Sequence, residues 1–355
     1  MESFQSCIKN EKGLSMPTLT KEVLHEVTAA ILQAAGAPDD LAAQVADVLV
    51  DNHLAGHDSH GILRIPEYVR SVQAGEIVPA ARPCVIEESA TSALICGNWA
   101  FGQVTGLFAA DLAVEKAKRE RVAVLSVVQA GHTGRLAAFT DRAARRGVAM
   151  FMAIGTVSKP RTAPYGGSAP VLGTNPISFS IPNPAGSPVT LDFATSAIAA
   201  GKIKAAKAKH EPLPPGAILD SLGRPSTDPQ AFFEGGFLLP FGGHKGYALA
   251  VIAELLSGPL AGADAYPGVT SRSGIFILAV DAAVFRPSAD YERALALTLA
   301  RIKAVPPGPG FEEVLLPGEP EARSRAKRER DGIPIPEDTW RAVCEVGAEL
   351  GVNIK

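Results

Sequence analysis

The chain has 355 residues, 46% of them hydrophobic and 20% charged, a composition that suits a folded globular protein with a sizeable core. Its formal net charge of −3 gives no electrostatic footprint for nucleic acid or for an anionic membrane surface. The most apolar stretch, Tyr247–Leu260, is interrupted by Glu254 and Pro259 and is too short to span a bilayer.

Length alone predicts two interleaved domains, because the chain is about twice the usual single-domain size. The opening MESFQSCIKNEKGLSMP has no apolar core of the kind that secretion needs, so a cytoplasmic protein is expected. Cys7, Cys84, Cys96 and Cys344 show no CxxC spacing and read as reduced, buried thiols.

Residues Thr20–Ala35 carry apolar side chains at helical spacing and stop at Gly36. Asp39 or Asp40 is placed to cap a second helix whose face runs Leu41, Val45, Val48 and Leu49. That helix leads into HLAGHDSHG at 53–61, and a third helix near Ile65–Ala74 stops at Gly75. From there strands and helices alternate. Strands are predicted at 122–128, 148–154, 177–181, 189–193 and 274–280, and helices at Leu136–Arg146, Lys202–Lys209 and Tyr247–Leu256. This alternation predicts an α/β fold with a mixed or largely parallel sheet. Loops at Lys159–Pro176, Pro182–Pro188 and Pro306–Gly310 are rich in Gly and Pro, and two charged amphipathic helices close the chain. Neither GxGxxG nor GxxxxGK[ST] occurs, so any dinucleotide must be bound without the best-known glycine fingerprints.

Four clusters carry candidate chemistry. On a continuous helix His53, His57 and His60 would share one face, as metal ligands do. Gly56 and Gly61 end such a helix, and no carboxylate or cysteine motif completes a ligand set, so no metal is expected. Ser59, His60 and Arg64 instead suggest an acid/base whose tautomer a hydroxyl fixes, beside a guanidinium suited to a carboxylate. Spacing alone leaves that reading level with a capped helix start and a surface arginine. The second cluster, Gly131-His132-Thr133-Gly134-Arg135, lies between a strand and a helix, where glycines let the backbone approach a phosphate. As a bare pattern GxxG is weak, and an ordinary tight turn is the better default reading. In the third, Thr174 lies in GTNP and Asp192 ends a strand, with Thr195 or Ser196 placed to cap the next helix. The fourth is LLPFGGHKGYALA, where His244 and Lys245 stand at a helix N-terminus. Cations are disfavoured there unless an anion is near. The basic runs Lys202–Lys209 and Arg323–Arg330 read as solvated helix faces.

Together these pieces resemble the family of malate, L-lactate, ureidoglycolate and L-sulfolactate dehydrogenases, which is unrelated to the Rossmann-type lactate dehydrogenases. The resemblance rests on DSHGILRIPEYV, GHTGRLAAF, APYGGSAPVLGTNPISFSIP, LDFATSAIAAGKI, LLPFGGHKGYALA and LLPGEPEARSRAKRERDGIPIP, in the family's order from about residue 20 to 345. It implies an α/β, L-sulfolactate dehydrogenase-like fold: a mixed sheet flanked by helices, helical N- and C-terminal parts, and a non-Rossmann dinucleotide site. Residues 1–120 with 305–355 would form a substrate and dimerisation domain, and 121–304 the dinucleotide-binding domain. The implied protein is a homodimer that uses NAD or NADP on a small 2-keto or 2-hydroxy acid.

The resemblance makes His60 the proton donor, Ser59 its relay partner and Arg64 the carboxylate clamp, with His132 as the alternative acid/base. It assigns cofactor contacts to His132, Gly134, Arg135, Leu136, Thr174, Asp192, Phe193, Ala194, His244, Lys245, Pro317, Gly318 and Glu319. Relatives that reduce cyclic ketimine acids tend to carry an acidic residue where this chain has Lys202. Reduction of a cyclic or N-alkyl imino acid is therefore the alternative reaction. A serine hydrolase built on Ser59 and His60 is disfavoured, since adjacent residues rarely reach attacking geometry and no GxSxG is present.

Overall fold

The computed structural model describes residues 17–156, 160–263 and 273–354. Cys7 and the predicted loop's first residue, Lys159, lie outside them. The two ends of the chain build one helical layer. It begins with β1 (Thr18–Leu19), α1 (Lys21–Ala34), α2 (Asp39–Leu54), two 3-10 turns (Asp58–His60 and Ile62–Arg64) and α3 (Ile65–Gln73). Thr20 caps α1 by accepting the Val23 amide. The expected aspartate cap of α2 is corrected: Pro38 holds the cap position, and Asp39 and Asp40 stand in the first turn, where they still face the positive end of the helix dipole.

The sheet region follows with β2 (Cys84–Glu88), β3 (Ser92–Cys96), α4 (Gly102–Glu120), β4 (Val122–Ala130), α5 (Ala137–Arg145), β5 (Val148–Thr156), β6 (Ile177–Ile181) and β7 (Val189–Phe193). A small lobe is made by α6 (Ala200–Lys209), β8 (Ile218–Leu219), β9 (Pro225–Ser226), α7 (Pro229–Phe233) and β10 (Phe237–Leu238). The chain ends with α8 (His244–Ser257), β11 (Ser273–Asp281), α9 (Ser288–Lys303), α10 (Glu319–Asp331), β12 (Ile333–Pro334) and α11 (Glu337–Glu349). Strand β12 pairs with β1, and Ile333, Ile335 and Val343 bury against Leu24, Ile31, Leu41 and Leu49.

The seven-stranded sheet has the order β2-β3-β4-β11-β5-β6-β7. Only β3 and β4 pair in parallel. Helix α5 crosses from β4 to β5 in the same direction, but β11 is inserted between them and runs antiparallel to both. The sheet is thus mixed, and mostly antiparallel in its ladders. Leu125, Val127, Met150, Met152, Ile275 and Ile277 turn one face onto the alanine-rich side of α4 and onto α5. The alternate face of β5 takes Ala253 of α8. Strands β2 and β3, which the resemblance placed with the N-terminal part, belong to this sheet, and α4 packs on it. Among the described cysteines that were read as buried, Cys96 is so, whereas Cys84 is exposed and Cys344 half-buried.

Candidate active site

The site starts where α2 ends. Asn52 donates from Nδ2 to the His60 carbonyl at 2.9 Å. His53 is fully buried, and its Nε2 accepts the Ile62 amide at 3.0 Å. The ring proton therefore sits on Nδ1 and goes to Asp58 Oδ1, 2.9 Å away. Burial alone would raise the Asp58 carboxyl, but the His53 ring and the Arg328 guanidinium outweigh it and hold it at about 2. A Cβ on Gly61 would lie 2.2 Å from the His53 ring, which is why this turn needs glycine. The three histidines do not converge: His53 serves the turn, His57 pairs with Glu321 at 3.2 Å, and His60 faces Ser59. Among the described residues no three His, Cys, Asp or Glu side chains are grouped to hold a metal ion.

The turn presents Ser59 and His60 as a pair, with Ser59 Oγ 3.0 Å from His60 Nδ1. Arg64 donates from Nε to the Ser59 carbonyl at 2.8 Å and from Nη1 to Glu67 at 2.7 Å. These bonds orient the guanidinium. The His60 ring stacks on His132, with centroids 6.0 Å apart and planes 13° from parallel. Burial, then the nearby His132, Arg64, His57 and Arg135, push the His60 ring down to about 3, so it is neutral at ordinary pH.

Two residues that sequence reasoning missed control His132. Tyr68 Oη lies 2.8 Å from His132 Nδ1, and Gln103 Nε2 lies 2.7 Å from the same hydroxyl. Gln103 Nε2 also donates to the Thr133 carbonyl, which can only accept, so the amide orientation is fixed. Tyr68 thus accepts from Gln103 and gives its own proton to His132 Nδ1. A neutral His132 ring so held carries its proton on Nε2. Tyr68 follows Arg64 by four residues, a spacing that brings both to one helix face and that could have revealed it. Gln103, in α4, leaves no comparable signal. The loop reaches this position because Gly102 opens α4: a Cβ there would stand 2.4 Å from the His132 carbonyl oxygen.

A polar cleft adjoins the pair, lined by His57, Arg135, Arg145, Asp192, Gly318 and Arg325 among others. Arg135 is buried between Asp51 at 3.3 Å and Asp141 at 3.4 Å, and its Nε has no hydrogen-bond partner. Asp192 accepts the Ala137 amide at the start of α5, 2.7 Å away. The residue keeps some exposed surface, but its carboxyl is enclosed, and that burial raises it to about 6. The Pro317 carbonyl accepts the Thr190 amide at 3.0 Å. Glu319 turns to the Leu316 amide and Lys303. Leu136 sinks entirely into the sheet core, so its side chain is not available for ligand contact.

The remaining predicted residues form a neighbouring group. The Thr174 carbonyl accepts both the amide and the hydroxyl of Thr195, and the Thr195 carbonyl accepts the Phe241 amide. Phe193 packs edge-on against Phe241, and Ala194 lies between Phe193 and Thr195. Thr195 and the Ser196 hydroxyl, bonded to the Ile198 carbonyl, therefore serve this loop and do not cap a helix. His244 and Lys245 do open α8, both exposed, with the Tyr165 ring against His244. Gly201 of α6 packs near Ser59.

The basic runs divide. Lys202 and Lys204 are exposed, and Lys207 lies over the Phe233 ring. The reading of Arg323–Arg330 as a solvated face is corrected, because Arg325 pairs with Asp51 at 2.7 Å and Arg328 pairs with Asp58 and the His53 carbonyl. They fasten α10 to the end of α2.

Comparison with known proteins shows what this arrangement is similar to. The family model for malate/L-lactate dehydrogenase matches residues 19–344. A malate/(S)-sulfolactate dehydrogenase of Methanothermus fervidus is 35% identical over 335 residues, covering 91% of this chain and 95% of the relative. The solved sulfolactate dehydrogenase of Methanocaldococcus jannaschii superposes with a TM-score of 0.87 at 35% identity, over 95% of this chain and 98% of that one. The Δ1-piperideine-2-carboxylate reductase of Pseudomonas syringae pvar. tomato gives 0.81 at 29% identity, over 93% and 99%.

Proposed function

The chain belongs to the malate/L-lactate dehydrogenase family, and on that premise we propose that it interconverts a small 2-hydroxy acid and its 2-keto acid with NAD or NADP. The observation that carries this reading is the Ser59–His60 pair stacked on His132, with Arg64 anchored to the same turn. It sets a proton carrier, a fixed hydrogen-bond donor and a carboxylate clamp side by side.

The charged lining of the cleft suits the diphosphate and ribose part of a dinucleotide. Arg135, Arg145 and Arg325 on its lining suit a diphosphate, and Asp192 suits a ribose hydroxyl. Gly134 beside Arg135 and Gly318 at the start of α10 would let the backbone approach. Phe193, His244 and Lys245 would border the same ligand from the α8 side. A bound nicotinamide accepts or supplies the hydride.

In the oxidising direction, Arg64 holds the substrate carboxylate through its Nη2 edge, which has no hydrogen-bond partner among the described residues. Neutral His60 takes the hydroxyl proton, and Ser59 exchanges a hydrogen bond with its Nδ1. A carboxylate on Arg64 offsets the cations that depress His60 and lets the ring hold a proton more readily, which readies it to return that proton in the reducing direction. His132, held by Tyr68, donates from Nε2 to the substrate oxygen and polarises it. The reading carries with it a cytoplasmic location and a homodimer. The exposed Leu249, Ile252 and Leu255 of α8 are the kind of apolar surface a partner subunit covers.

The test is His60→Ala. Keto-acid-dependent turnover should fall by about a hundredfold to ten-thousandfold, as for a lost general acid/base, while dinucleotide binding measured by fluorescence survives. Unchanged turnover would remove His60 from the mechanism. A second reaction, reduction of a cyclic or N-alkyl imino acid, is favoured only by the likeness to the piperideine carboxylate reductase.

A further inference from the structure

We infer that Cys84 and Cys96 form a modification site, a dithiol that a hydroperoxide converts to a cross-strand disulfide, and that the change is transmitted to the turn carrying His132. The two cysteines are direct partners in the antiparallel register of β2 and β3. Opposed residues point to the same face, with Cα atoms about 4.5–5.5 Å apart, inside the roughly 4.4–6.8 Å that a disulfide spans. The next pair in register, Val85 and Ile95, packs into the sheet core, so both sulfurs lie on the other face. One amide joins them. Cys96 Sγ donates to Asn98 Oδ1 at 2.9 Å, and Asn98 Nδ2 lies 3.6 Å from Cys84 Sγ.

Both thiols are free, and their exposure differs in a useful way: Cys84 is open to solvent, and Cys96 is 8% exposed. Cys84 as thiolate attacks the hydroperoxide, forming an S–O bond as the O–O bond breaks, and an alcohol or water leaves with a proton. Cys96 as thiolate then attacks the Cys84 sulfur and expels hydroxide, which takes up the remaining proton as water. Two thiols are oxidised and one hydroperoxide is reduced.

The consequence runs through Gln129. Gln129 Oε1 lies 3.0 Å from Cys96 Sγ and shares the thiol's single proton with Asn98 Oδ1, and disulfide formation removes that proton. Gln129 sits at a φ of 53°, a left-handed conformation, and its carbonyl accepts the Trp99 amide. His132 follows three residues later, its carbonyl against Gly102. Oxidation therefore removes a bond that holds the strained residue leading into the His132 turn. This second step rests on the proposed role of His132; the disulfide itself does not.

The full-length protein is treated with hydrogen peroxide, alkylated and mapped by peptide mass. The expected result is a linked peptide pair containing Cys84 and Cys96, with loss of two of the four thiols titratable in denaturant. Cys84→Ser should give no linked pair. Turnover of the oxidised wild type should fall by about fivefold, the equivalent of one lost neutral hydrogen bond, and recover with dithiothreitol, while Cys84→Ser is insensitive. Absence of the linked pair overturns the dithiol. A linked pair with unchanged turnover overturns the transmission to His132. Because the peptide map reads no activity, failure of the proposed reaction leaves it standing.

Discussion

Two imidazoles stacked 6.0 Å apart, with Arg64 and Arg135 nearby, cannot both hold a proton cheaply. Burial and these cations bring His60 from the ordinary 6.5 down to about 3. The sign follows for the oxidising direction, which needs the neutral ring. Above pH 3 the free enzyme already has it, so kcat/KM for the hydroxy acid should stay level from neutral pH down past 6.5. An acid limb at or above 6.5 would show that the ring is not depressed. Arg64 makes a separate prediction. Its Nε and Nη1 are tied down, so Arg64→Lys replaces an oriented fork with a point charge and loses the bond to the Ser59 carbonyl. KM for the acid should rise by roughly tenfold to a hundredfold, as for one lost charge-assisted hydrogen bond, with dinucleotide affinity unchanged in a direct titration. Residue type and spacing singled out Ser59, His60 and Arg64 only as one of two equal readings, and the family resemblance supplied their proposed roles. Asp58, His53 and Gln103 were not legible, since their roles depend on which donor meets which acceptor across distant segments.

At the scale of elements, the site is held by how α2, α4 and α10 meet. Arg328 on α10 reaches Asp58 and the carbonyl of the last turn of α2, and Arg325 reaches Asp51. Arg328→Ala should destabilise the fold by about 1–2 kcal/mol, a value reduced for the partial exposure of Asp58. It should also lower turnover, because the turn carrying Ser59 and His60 loses its outer anchor. Thermal unfolding and steady-state kinetics on one preparation check both effects. Sequence periodicity located α1, α3, β6 and β7 closely, since each has a clean apolar face or a β-branched run. It missed β2, whose Ile86, Glu87 and Glu88 are exposed beside a register shift, so no alternation shows. It also missed α4, buried on so many sides that polar positions no longer mark a face. The charges of α10 looked solvated because their partners lie some 270 residues away.

For the molecule as a whole, closure of the chain ends and the insertion of β11 decide the architecture. Strand–helix alternation suggested parallel pairing, yet β11 enters between β4 and β5 after more than a hundred intervening residues and reverses the ladders on both sides. No local pattern encodes that non-local pairing. The resemblance through the four clusters conveyed the family and the mixed sheet, which fold and relatives support. The chemistry proposed for the place where His60, His132 and Arg64 meet is the central claim. It is tested most directly by following NADH and NADPH oxidation against a panel of 2-keto acids, each with and without methylamine. The account predicts oxidation by at least one 2-keto acid without amine. Activity that requires the amine throughout would contradict it and assign the site to imine reduction.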